Sequence, residues 1–136
     1  MSEKPTILLV DDDQAFVKAT SLFLEHAGYE VVSAPDGPSG VAAAMEHRPD
    51  IIVLDVIMRR PDEGFAVARA LRAEPGVSEV PIVVLTAAGE RYQMAFEPDE
   101  QWLPVNKVLE KPLAGDELVR EIDALLGRSH SDEATP

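Results

Sequence analysis

Five chemically capable positions stand at the ends of short apolar runs in this chain. Asp11 and Asp12 follow Ile7-Leu8-Leu9-Val10, and Asp55 follows Ile51-Ile52-Val53-Leu54. Thr86 follows Ile82-Val83-Val84-Leu85, and Lys111-Pro112 comes just after Val108-Leu109. If the runs are parallel strands, all five residues collect on one edge of the sheet, where α/β proteins bind ligands. Three acids gathered there repel one another unless a cation or protonation relieves them. Hard oxygen ligands suit Mg²⁺. Carboxylates, a hard cation, a hydroxyl and an amine together are equipment for moving a phosphoryl group.

The elements that must position these residues alternate in character. Strand-like runs are separated by amphipathic stretches, which predicts βα units on a parallel sheet. Strands are expected at about Thr6 to Val10, Glu30 to Ala34, Ile51 to Leu54, Pro81 to Leu85 and Asn106 to Glu110. Asp13 is placed to cap a first helix whose apolar face would use Phe16, Ala19, Phe23 and Ala27, with Gly28 ending it. Pro35-Asp36-Gly37-Pro38 reads as a turn before an Ala-rich helix from about Ser39 to His47. A helix from about Phe65 to Ala73 turns Phe65, Ala68 and Leu71 inward. The last helix, Gly115 to Leu126, carries Leu118, Ile122, Leu125 and Leu126 on one face. Between Ala87 and Pro104 the pattern is irregular, broken by Gly89, Pro98 and Pro104.

At 136 residues the chain suits one domain with a sizeable core. Residues 5–127 are expected to form it, and 128–136 to be a polar tail without fixed structure. Twelve basic against 25 acidic residues give a net charge of −13, which argues against direct nucleic-acid binding. Cysteine is absent, so thiolate metal sites and disulfides are excluded. No signal-peptide pattern or bilayer-length apolar run is present, so a cytoplasmic protein without a membrane contact is expected.

Strand, acidic pair, strand, Asp, strand, Thr, strand, Lys-Pro is also a known order. Over about residues 5 to 127 the chain resembles the receiver domains of two-component response regulators, of the CheY-like, stand-alone type. The resemblance implies a doubly wound, five-stranded parallel sheet in the order 2-1-3-4-5, with two helices on one face and three on the other. It implies that Asp55 is the phosphoacceptor, taking phosphorus from a phosphohistidine of a sensor histidine kinase or phosphotransfer protein. Asp11, Asp12, Asp55 and the backbone carbonyl of Ile57 would hold Mg²⁺, or Mn²⁺ in its place. Lys111 would pair with the acceptor and then with the phosphoryl group, and Thr86 would bond a phosphoryl oxygen. Such a protein catalyses only its own phosphorylation and dephosphorylation, and acts by switching contacts with an unknown output protein or by relaying the phosphoryl group. Lys111-Pro112 resembles the family's cis peptide.

Several residues depart from the family's pattern. Arg59-Arg60 come between Met58 and Pro61, and Gly64 lies one residue late. Val108 stands where the family places its switch aromatic. The region from Ala87 to Lys107 is expected to replace the usual fourth helix with a longer loop holding Trp102, the sole tryptophan. Ile57 and Ala88, expected beside the phosphoryl group, cannot position a water, which predicts slow self-dephosphorylation. Two other readings compete. Asp11-Asp12-Asp13 also satisfies the Asp-x-Asp of a haloacid-dehalogenase-like phosphatase using Asp11. A receiver-like docking module that takes no phosphoryl group is the other.

Overall fold

The computed structural model describes residues 4–55, 63–86, 107–110 and 115–127. Strand β1, Thr6–Val10, is followed by α1, Gln14–His26, and β2, Glu30–Ala34. Then come α2, Gly37–His47, β3, Ile51–Asp55, α3, Glu63–Arg72, and β4, Ile82–Thr86. Strand β5, Lys107–Glu110, and helix α4, Gly115–Leu126, close the order. The sheet is parallel throughout, in the order β2-β1-β3-β4-β5. This is the expected doubly wound arrangement, with β1 and β3 as neighbours.

Strand side chains alternate between two faces, and both faces are covered, so each central strand is apolar at every position but one end residue. Leu8, Val10, Ile52, Leu54, Ile82 and Val84 pack with Ala44 of α2 and Val67, Ala68 and Leu71 of α3. Ile7, Leu9, Ile51, Val53, Val83 and Leu85 pack with Val17 and Leu24 of α1 and Leu118, Val119 and Ile122 of α4. Among the described residues two helices lie on each face. A fourth-helix region between Ala87 and Pro104, and the tail 128–136, fall outside the described residues.

The helix ends follow local chemistry. The Asp13 carboxylate accepts the N–H of Phe16 at 3.1 Å and caps α1 as expected. Gly28, at φ 101°, ends the segment in the left-handed region. Helix α2 begins two residues before its predicted start. Asp36 accepts the Ser39 N–H at 2.9 Å, and the Ser39 hydroxyl answers at the Asp36 N–H, so the Pro-Gly cluster is a capped helix start rather than a separate turn. Gly40 lets α2 lie close on β1, since a Cβ there would stand 3.0 Å from a Val10 methyl.

The predicted apolar face of α1 is rotated. Val17 and Leu24 are buried, Phe16 and Ala27 are half-buried, Ala19 is exposed and Phe23 is 49 % exposed. Positions 17, 20, 24 and 27 share the stripe that meets the sheet. Phe23, though large and apolar, lies one step round the helix from this stripe. In α3, Ala68 and Leu71 point inward as expected, and in α4 so do Leu118 and Ile122, with Leu125 and Leu126 half-buried.

Candidate functional site

The carboxyl ends of β1 and β3 bring the acids together. Asp11 directly follows Val10, which lies in register with Leu54 on β3. Asp55 is the last residue of β3, so the two side chains leave neighbouring strands at the same edge. Asp11 is fully buried and Asp55 is 3 % exposed, whereas Asp12 is exposed. One carboxylate oxygen from each of the three lies within 4.8 Å of the others. An all-oxygen set, part buried and open to solvent on one side, fits a hard divalent cation that keeps several waters. Three formal negative charges in so small a space give such a cation a strong local field.

Asp11 is held from two directions. Its N–H donates to the Ala34 carbonyl at 3.0 Å, extending the β1–β2 ladder by one residue. Its Oδ1 accepts the Asp13 N–H at 2.9 Å. This second contact was not foreseen from sequence. Its signal is the run Asp11-Asp12-Asp13, because an Asp side chain readily accepts the backbone N–H two residues on. The Asp13 carboxylate itself serves the α1 cap and is not one of the three clustered acids.

Thr86 ends β4 one residue beyond Leu85, which is in register with Asp55, so its backbone reaches the same edge. It is also in register with Glu110 of β5. Lys111 follows Glu110 in sequence but, like Ile57, lies outside the described residues. So do Met58 to Pro61, Ala88 and Trp102. The backbone of Val108 is in β5, in register with Val84.

The sequence from Ile7 to Asp123 matches the family model of the response regulator receiver domain. The chain belongs to that family. Among curated proteins, this receiver is similar to the DNA-binding dual master transcriptional regulator RpaA of Synechocystis, at 36 % identity over 125 residues. That match covers 92 % of the chain and 50 % of RpaA. It is 39 % identical over 131 residues to the response regulator MprA of Mycobacterium leprae, covering 94 % of the chain and 54 % of MprA. The chain thus spans about half the length of the curated relatives it matches.

Solved structures agree on the fold. The receiver domain of a Pseudomonas aeruginosa sensor histidine kinase, with a magnesium ion coordinated in its active-site cleft, superposes with a TM-score of 0.76 at 30 % identity. That match covers 92 % of this chain and 99 % of that one. The chemotaxis protein CheY4 of Vibrio cholerae gives 0.77 at 28 % identity, covering 91 % of this chain and all of that one. Family membership favours the receiver reading over the haloacid-dehalogenase-like alternative. Among the described residues no helix is long and apolar enough to cross a membrane. The stand-alone reading goes further than these matches, because both curated relatives are about twice as long.

Proposed function

We propose that this receiver accepts a phosphoryl group on Asp55 from a phosphohistidine of a sensor histidine kinase or phosphotransfer protein. The observation that carries the reading is the meeting of Asp55 with Asp11 and Asp12 within 4.8 Å at the strand-β1/β3 edge. An Asp55 carboxylate oxygen forms the new P–O bond as the P–N bond to the imidazole breaks, and the imidazole keeps the electron pair. Asp11, Asp12, Asp55 and the Ile57 carbonyl would hold Mg²⁺, or Mn²⁺ in its place. When bound, the cation offsets charge on the phosphoryl oxygens during in-line transfer. In this reading Thr86 donates its hydroxyl to a phosphoryl oxygen and Lys111 supplies the pairing amine.

The same proposal takes residues 5–127 as the receiver unit and 128–136 as a polar tail. It includes a cytoplasmic setting and no chemistry beyond the receiver's own phosphorylation and dephosphorylation. Output would pass through a protein partner or onward phosphotransfer, the phosphoryl group favouring one of two conformers. A net charge of −13 speaks against direct contact of this segment with nucleic acid. Ile57 and Ala88 carry no group to orient an attacking water, so the aspartyl phosphate is expected to last minutes or longer.

Intact mass after incubation with acetyl phosphate or phosphoramidate tests the reading. One phosphoryl mass should be gained with Mg²⁺ and not with excess EDTA. A folded, Mg²⁺-binding protein that gains no mass from either donor would instead be a docking module.

A further inference from the structure

We infer that Asp13 is a positioning residue for cation binding: by capping α1 it fixes the backbone N–H that orients the Asp11 carboxylate. The inference rests on the proposed Mg²⁺ role of Asp11. Asp11 has two carboxylate oxygens, and Oδ1 accepts the Asp13 N–H at 2.9 Å. One oxygen tied in this way sets the plane of the carboxylate. The direction of that N–H depends on the backbone of residue 13, which is extended at φ −89° and ψ 100°, whereas the helix begins at the next residue.

Two hydrogen bonds hold that junction. The Asp13 side chain accepts the Phe16 N–H at 3.1 Å, and its carbonyl accepts the Val17 N–H at 2.9 Å. The first is lost without a side-chain acceptor, and the opening turn of α1 then frays. Fraying loosens residue 13, and the buried Asp11 carboxylate loses one fixed donor, at Oδ1. The cation must then order a ligand that was ordered beforehand, and affinity falls. Asp13 touches neither cation nor phosphorus in this account.

Charge is the competing explanation, since an anion beside the cluster attracts a cation at longer range. Asn, Ser and Ala at position 13 all remove that charge equally, but Asn and Ser keep a capping acceptor. The experiment is Mg²⁺ titration of the whole chain by isothermal calorimetry, with Asp13→Asn, Asp13→Ser and Asp13→Ala beside the wild type. Circular dichroism checks folding at the same temperature. Asp13→Ala should bind Mg²⁺ about three- to tenfold more weakly than the Asn and Ser variants, a spread matching the usual worth of a cap. Its phosphorylation rate should fall at limiting Mg²⁺ and recover at saturating Mg²⁺. Equal affinity in all three variants overturns the inference and leaves the proposed function standing. A wild-type protein that binds no Mg²⁺ overturns the proposed function, and the inference with it.

Discussion

The two edges of the sheet use aspartate in opposite ways. At the edge where strands begin, Asp50 and Asp123 each meet a donor. Asp50, just before β3, accepts the Thr6 N–H at 2.8 Å while its own N–H donates to the Thr6 carbonyl at 2.8 Å. Asp123, buried on α4, accepts the hydroxyl of buried Tyr29, which precedes β2. At the edge where strands end, Asp11, Asp12 and Asp55 meet one another. Asp50 and Asp55 bracket a single five-residue strand. Their difference shows that an acid at a strand end is structural or chemical according to what converges on it, and the chain topology decides that.

The largest expected effect separates the edges outright. Asp55→Asn should abolish phosphoryl mass gain from acetyl phosphate with Mg²⁺. It should also raise the urea midpoint in Mg²⁺-free buffer, because an amide relieves repulsion among three acids. A midpoint that falls would mean that Asp55 is held as structurally as Asp50. Next is the cation itself. Mg²⁺ at a hundredfold excess over its dissociation constant should stabilise the fold by about 2.7 kcal/mol, read as a rise in the urea midpoint. Asp11→Asn should erase that rise, and Tyr29→Phe at the opposite edge should leave it unchanged.

Tyr29→Phe should nevertheless cost about 1–3 kcal/mol of unfolding free energy, because it takes the phenolic donor from a buried carboxylate. Replacing both partners, as Tyr29→Phe with Asp123→Leu, should recover much of the loss, since a buried polar pair and an apolar pair of similar shape are often close in stability. A double variant no better than the singles would mean that Asp123 depends on contacts other than Tyr29.

The sequence made the carboxyl edge far more legible than the opposite one. Apolar blocks interrupted by Asp, Asp and Thr give strand, edge and reactive group together, so the acid cluster is legible in the residues themselves, while the strand order follows only from the family resemblance. Asp123 carried a weaker signal. It lies four residues after Val119 and next to Ile122, on the apolar stripe of α4, but its partner Tyr29 is 94 positions away, and no local rule links them. The face of α1 was misread because the bulk of Phe23 outweighed the spacing of Val17 and Leu24. The start of α2 was missed because Gly and Pro usually break structure, whereas after Asp36 they open a helix. The Asp13 amide on Asp11 has only a weak signal, since an Asp readily accepts the N–H two residues on but does so in many turns.

The smallest expected effect tests whether the amino-edge acids are purely structural. Asp50→Ala removes the acceptor for the Thr6 N–H, but both residues are near solvent, so water can replace the lost bond. The loss should be about 0.5–1.5 kcal/mol, measured as the shift in urea midpoint at constant slope. Phosphorylation and the Mg²⁺-dependent stabilisation should both stay at wild-type values. The ladder bond from the Asp50 N–H to the Thr6 carbonyl survives the substitution and keeps β1 and β3 aligned. If Mg²⁺ affinity nevertheless fell, the register at one end of β3 would be felt at the other, and the two edges would not be independent. The apolar ladder between them, Ile7 to Val10 against Ile51 to Leu54, argues for independence, because packing rather than Asp50 sets that register.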